Sequence, residues 1–296
     1  FIFVQNTATS QMAELWNKFE AFLESFQISH PMGYRDQNLL LNYSHPWFPI
    51  VSVVVYVFLV FTLPKLLKNL PPLKLKLFVA LWNLGLSLFS FCVVIGVGEP
   101  YLQVYLNNNI YDAFMGKENL YFIGPHRMLC WIYYFALSKF VELFDTLWLL
   151  LRKKNPPFLH WYHHATVLLY TWFAAYYHTV LGFNFVIVNA FVHTIMYFYY
   201  FLSEIGFRPP QLVALCITLI QISQMVVGIA VVGTSGYFWW ATGEPFLSDQ
   251  PEFVMIAGIV MYGSYLFLFC QFFVGRYLGK KQARPSKSTP TVKKTQ

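Results

Sequence analysis

The chain has 296 residues, 57 % of them hydrophobic and only 11 % charged, far below the roughly 25 % charged residues of an ordinary soluble domain. That composition excludes a soluble two-domain protein and implies one polytopic membrane domain. The net charge of +7 raises nucleic acid as a partner, but the basic residues sit in short loops between apolar runs, so membrane lipid is the expected surface and nucleic acid is not.

Residues 1–46 mix polar, aromatic and charged residues without a continuous apolar core, so no cleavable signal peptide is read there. They are expected to form a luminal N-terminal segment, and the opening at Phe1 rather than methionine implies that further residues precede it. Seven apolar runs follow, at about 47–66, 77–98, 128–151, 158–178, 181–203, 211–240 and 252–275, each of the length a transmembrane helix needs. The sixth is expected to end early, near Gly233, because Gly233-Thr234-Ser235-Gly236 reads as a turn. Residues 277–296, rich in Lys, Ser, Thr and Pro, cannot bury enough apolar surface to fold and read as a disordered basic tail. The expected fold is an all-α integral membrane protein, with seven transmembrane helices forming one bundle over 47–276.

Charge orients that bundle. Fifteen Lys and Arg fall after spans one, three, five and seven, against four on the opposite side together with ten of the thirteen acidic residues. Lys and Arg are retained in the cytosol, which places the N-terminus in the lumen and the C-terminus in the cytosol. Cys92, Cys130, Cys216 and Cys270 lie in or at the ends of apolar runs without metal or disulfide spacing, and read as packing residues.

Against this apolar background the polar residues come in sets. Span three carries Lys139, Glu142, Asp145 and Thr146, and ionisable side chains at membrane depth need partners or a wet cavity. Lys139 and Glu142 can pair at i, i+3; Asp145 then looks for a histidine or Arg152. Span four opens with His160, His163 and His164, whose spacing puts three imidazoles within one arc near the cytosolic face. Trp161 and Tyr162 beside them read as interfacial anchors. Span five aligns Asn189, His193, Tyr197 and Tyr200 on one stripe, and a tyrosine hydroxyl in hydrocarbon needs a partner. Span six adds Thr218, Gln221 and Gln224 on one face, where interhelical hydrogen bonding is the plainer role. His30, His45, His126 and His178 fall on the luminal side and are not assigned to the site.

Lys139-x-x-Glu142-x-x-Asp145-Thr146, His160-x-x-His163-His164, Asn189-x-x-x-His193-x-x-Met196-Tyr197-x-Tyr199-Tyr200 and Thr218-x-x-Gln221-x-x-Gln224 together resemble the ordered motif set of the ELO family of fatty acid elongases. The resemblance implies a very-long-chain 3-oxoacyl-CoA synthase, an acyltransferase that condenses a long-chain acyl-CoA with malonyl-CoA, releases CO2 and CoA, and needs no tightly bound cofactor. It also implies a bundle built around a polar-to-apolar acyl tunnel, and association with the 3-oxoacyl-CoA reductase, dehydratase and enoyl-CoA reductase that complete a cycle of elongation. Matched to the motifs, His163 is the nucleophile through an acyl-imidazole, His193 its partner, His160 and His164 orient them, and Asn189 stabilises the developing oxyanion. Lys139, Glu142, Asp145, Tyr197, Tyr200, Gln221 and Gln224 would shape the substrate cavity, with Arg152, Lys153, Lys154 and Arg208 drawing CoA phosphates to its mouth. His160-Trp161-Tyr162-His163-His164 resembles the box of elongases acting on saturated and monounsaturated chains. Lys293-Lys294-Thr295-Gln296 looks like a dilysine signal for the endoplasmic reticulum. Read from the residues alone, the site also admits a single-metal membrane hydrolase, since three or four His and Asp can hold zinc, and a seven-span lipid transporter or receptor; a di-iron desaturase has too few suitably placed histidines.

Overall fold

A computed structural model describes residues 47–115, 126–177, 179–243 and 252–278, together with Lys18. Among the described residues from 47 onward, eight α-helices follow one another: α1 (Trp47–Leu66), α2 (Lys76–Asn107), the short α3 (Ile110–Met115), α4 (His126–Leu151), α5 (Phe158–Tyr176), α6 (Val180–Ile205), α7 (Gln211–Thr242) and α8 (Glu252–Phe273), the last prolonged by a π-helical turn, Val274–Leu278. No strand occurs among the described residues. Apart from Lys18, the segment 1–46 expected to be luminal lies outside the described residues, as do most of the basic tail and the expected dilysine signal.

Local sequence explains where the helices stop. Pro71-Pro72, Pro156-Pro157 and Pro209-Pro210 stand between α1 and α2, α4 and α5, and α6 and α7. The residue before a proline is driven out of helical geometry and proline itself suits a helix entrance. Accordingly Pro157 and Pro210 are the N-caps of α5 and α7, Pro157 in extended conformation and Pro210 at φ −53°, ψ 149°, neither of them helical. At the end of α6, Gly206 takes the left-handed φ of 104° and its N–H bonds the Ser203 carbonyl, the geometry that favours glycine at a helix end.

Among the described residues five helices, α1, α2, α6, α7 and α8, are long and apolar enough to cross a membrane by length and composition. The other two long helices, α4 with 26 residues and α5 with 19, carry the charged triad and the histidine box. Their neighbours settle how they sit. α2 packs on α6, α6 on α7, α7 on α8, α8 on α5, α5 on α4 and α4 back on α2, which closes a ring of six. α1 lies outside, against α4 and α5, and Val51, Val54, Val55, Phe58 and Phe61 are exposed on it, as lipid-facing side chains are.

Two expected boundaries are corrected. α7 runs unbroken through Gly233-Thr234-Ser235-Gly236 to Thr242, with Ser235 fully buried; in an apolar surrounding no water takes over backbone hydrogen bonds, so a turn-forming sequence stays helical. α2 passes the expected end at residue 98, continues through Pro100 and reaches Asn107. Its last turns are tied down by Tyr101 and Tyr105, one turn apart, whose hydroxyls both donate to Asn184 Oδ1 of α6 at 2.8 and 2.6 Å.

Candidate active site

The inner faces of the ring enclose a cavity of about 450 Å3, lined from α2, α4, α5, α6, α7 and α8. Asp145, Arg152, His160, His163, His164, Asn189, His193, Tyr197, Tyr200, Gln221 and Gln224 all border it. A second, narrow slot of about 60 Å3 continues between α4, α5, α6, α7 and α8, lined mainly by apolar and aromatic side chains, with His163, Thr171, Thr179, Asn189 and Gln224 among them. His163, Asn189, Gln224 and Met225 line both. His163 therefore stands where a chamber lined by several ionisable side chains gives way to a slot in which it is the one acidic, basic or imidazole group among the lining residues.

Lys139 and Glu142 do not border the chamber; they are 1 % and 3 % exposed and support its wall. Lys139 Nζ donates to Glu142 Oε1 at 2.7 Å and to Asn189 Oδ1 at 3.0 Å. A lysine ammonium is a donor only, so the Asn189 oxygen must face it and the Asn189 amide nitrogen is turned to His193 Nε2, 3.2 Å away. That nitrogen then accepts, which leaves the proton on His193 Nδ1, 3.6 Å from Glu142 Oε1. One buried cation thus sets the direction of an asparagine and, through it, the tautomer of a histidine.

The histidines of α5 stand as their spacing requires. The rings of His160 and His164 lie 4.6 Å apart and those of His163 and His164 5.3 Å apart. Buried His160 Nε2 and His164 Nδ1 have no hydrogen-bond partner among the described residues. Tyr265 of α8, not foreseen, packs its ring 4.9 Å from that of His163, and its hydroxyl lies 3.2 Å from the His163 carbonyl and 2.6 Å from Thr166 Oγ1.

Asp145 meets neither a histidine nor Arg152. It accepts from Trp82 Nε1 at 2.7 Å and from the Tyr197 hydroxyl at 2.6 Å, joining α2, α4 and α6. Arg152 is engaged instead by Glu204 of α6 in a bidentate pair at 2.7 and 2.9 Å. Glu204 had a signal in the sequence, as the lone acidic residue among the basic loops. Lys153 Nζ donates to the Lys68 carbonyl at 2.9 Å. Thr146 bonds the Tyr56 hydroxyl at 2.7 Å, holding the outer helix α1 to α4. Gln221 donates to Met196 Sδ at 3.2 Å, and Thr218 is turned from the chamber toward the Tyr277 hydroxyl at 3.3 Å.

The Asp145 knot gives a direct expectation. Tyr197→Phe keeps the ring but strands one carboxylate oxygen, a loss of about 1–3 kcal/mol for a buried polar group. Thermal unfolding in detergent should show a lower midpoint; an unchanged midpoint would mean the hydroxyl bond contributes nothing.

A closed helical ring of long apolar helices with buried charge at its centre defines a multi-pass membrane protein. The chain belongs to the ELO family, described as GNS1/SUR4, whose model matches residues 41–285. It is 38 % identical over 241 residues to "Very long chain fatty acid elongase 4" of Trypanosoma cruzi (strain CL Brener), covering 80 % of this chain and 82 % of that one. It is 31 % identical over 299 residues to "Putative fatty acid elongase 4" of Caenorhabditis elegans, covering 94 % and 98 %, and 38 % identical over 202 residues to "Very long chain fatty acid elongase 6" of Gallus gallus, covering 68 % and 74 %.

Proposed function

We propose that this protein is a fatty acid elongase that condenses a long-chain acyl-CoA, saturated or monounsaturated, with malonyl-CoA to give a 3-oxoacyl-CoA two carbons longer. The observation that carries this reading is the position of His163 at the junction of the chamber and the apolar slot. An acyl chain lying in the slot brings its thioester carbonyl to the imidazole, with CoA in the chamber.

The chemistry follows from that placement. A neutral imidazole nitrogen of His163 attacks the thioester carbonyl, the carbon–sulfur bond breaks, and CoA leaves as the thiol. The acyl-imidazole that remains is activated toward carbon nucleophiles and is sheltered from water by the surrounding helices. Malonyl-CoA then loses CO2, and the enolate carbon attacks the acyl carbonyl and expels the imidazole. Asn189 and His193, directed by Lys139, lie beside this point and are suited to steady the oxyanion and hand over the proton. His160 and His164 orient His163. Arg152 can exchange Glu204 for CoA phosphate, an anion its guanidinium fork fits equally well.

The basic loops support a chamber that opens to the cytosol of an endoplasmic reticulum membrane crossed seven times. The product still carries a 3-oxo group, so its reduction, dehydration and second reduction fall to separate enzymes expected to associate with this one. A metal-hydrolase reading has less support, because no group of three or more His, Cys, Asp or Glu is arranged to hold a metal ion among the described residues. The test is mass spectrometry of purified protein incubated with palmitoyl-CoA or stearoyl-CoA alone and then given malonyl-CoA. A labile acyl group on the α5 peptide, discharged as 3-oxoacyl-CoA, is expected; absence of product with every acyl length would overturn the reading.

A further inference from the structure

Among the described residues that line the chamber, Arg152 is the only Lys or Arg, and the protein itself has filled it. Glu204, which lines the chamber too, takes both arms of the guanidinium, at 2.7 and 2.9 Å. The two side chains keep 16 % and 19 % of their surface open, so a ligand in the chamber can reach them. Glu204 does not serve its own helix: it lies in the last turn of α6, where the carbonyl end of a helix disfavours a carboxylate. A pair this accessible also adds little to stability. A carboxylate held by a planar fork inside an open chamber occupies the seat of an outside anion of similar shape, and a phosphate is such an anion.

Distance selects the phosphate. Glu204 follows His193 by eleven residues, three turns or about 16 Å along α6 on the same face. Met196, Tyr197, Tyr200 and Ser203 line the chamber between them, so the path from one to the other runs through the chamber. The pantetheine arm of CoA has about thirteen bonds from its sulfur to its nearest phosphorus, roughly 15 Å when extended at about 3.5 Å per three bonds. A thioester placed at His163 and His193 therefore lays the phosphate that ends the arm against Arg152.

We propose that Glu204 is a positioning residue that acts through Arg152: it competes with the arm phosphate of CoA for the guanidinium, weakens the hold on the carrier and speeds the departure of spent CoA. The inference rests on the elongase reading, in which one chamber takes acyl-CoA, releases CoA and takes malonyl-CoA in each turnover. Without Glu204 a departing phosphate would leave the guanidinium unpaired, and CoA would be held the longer for it. With Glu204 the carboxylate returns as the phosphate leaves, and one anion replaces another. When phosphate enters, the displaced carboxylate has Lys76 to turn to, whose Nζ lies 3.9 Å from where a Cβ on Gly206 would stand.

The test is binding, without any acyl donor, of CoA, 3′-dephospho-CoA, 4′-phosphopantetheine and pantetheine to the native protein and to Glu204→Gln, at equilibrium and as dissociation rates, with steady-state kinetics alongside. Glu204→Gln is expected to tighten the three phosphate-bearing carriers by a common factor of about two to five, the worth of a partly exposed charge pair, and to leave pantetheine unchanged. The gain should lie in slower dissociation, and KM for acyl-CoA should fall while kcat does not rise. Glu204→Asp, which keeps the charge and shortens its reach by one methylene, should shift CoA in the same direction and carries the test if the amide variant does not fold. Tightening lost with 3′-dephospho-CoA would put the 3′-phosphate at Arg152, and tightening that grows with the total charge of the carrier would be a diffuse field; either overturns the proposal. A gain confined to the association rate overturns the release role. CoA bound equally by native protein and variants strikes Glu204 alone and leaves the elongase reading standing, whereas folded native protein that neither binds CoA nor forms product overturns that reading itself.

Discussion

His163→Ala is expected to abolish both the acyl adduct and the condensation product, lowering turnover by at least about 10^3-fold, the scale seen when a nucleophile is removed from machinery that acts as a unit. Among the described residues the ring is the one imidazole that borders both the chamber and the slot, so on the proposed reading no neighbouring histidine should take its place without a shift of the acyl chain. His193 is not equivalent, because its Nε2 is occupied by Asn189 and its Nδ1 faces Glu142. His160 and His164 border only the chamber. The variant should still fold, since its backbone carbonyl, and not its ring, receives the Tyr265 hydroxyl. Size-exclusion behaviour and thermal unfolding check that point, and intact-protein mass after acyl-CoA checks the chemistry. Product formed at native rate by His163→Ala would remove the nucleophile assignment. Product formed by the native protein with no adduct would keep the enzyme and replace covalent transfer with direct attack.

Much of this site could be read from spacing alone. Within one helix the i, i+3 and i+4 rule is strict, so the Lys139–Glu142 pair, the histidine arc of α5 and the stripe from Asn189 to Tyr200 were all legible without coordinates. What spacing cannot give is which helix faces which. Asp145 took Trp82, 63 residues away, and not a histidine, because α2 lies beside α4 in the ring; nothing local to either helix states that adjacency. Arg152 found Glu204 across 52 residues for the same reason. α2 did carry a hint, since Asn83, Ser87 and Ser90 recur at helical spacing in an otherwise apolar run and all prove buried. The turn expected in α7 failed for a different cause. Glycine, serine and threonine break helices where water competes for the backbone, and in a spanning segment that competitor is missing.

Lys139→Met is expected to be the most damaging substitution for folding. It leaves Glu142 with an uncompensated charge in a site 3 % exposed, and breaking a buried pair by removing one partner costs about 3–5 kcal/mol. Glu142 Oε2 already lacks a partner among the described residues, and only the Ser138 hydroxyl at 3.4 Å and His193 Nδ1 at 3.6 Å, both on the long side and neither cationic, would remain beside Oε1. The consequence should be a poor yield of monodisperse protein and a much lower unfolding midpoint. The double variant Lys139→Met, Glu142→Leu removes both charges and puts apolar volume in their place, an exchange that is often neutral or stabilising for buried pairs. Most of the lost stability should return with it. Activity should not return, because without the ammonium nothing compels the Asn189 oxygen away from His193, and the tautomer of that ring is no longer set. Stability and catalysis are therefore expected to separate at this pair: the fold should tolerate loss of both charges together, and activity should not, because Lys139 directs the Asn189 oxygen. A single variant as stable as the native protein would show that Glu142 is neutral in the fold, and a fully active double variant would show that His193 takes its orientation from elsewhere.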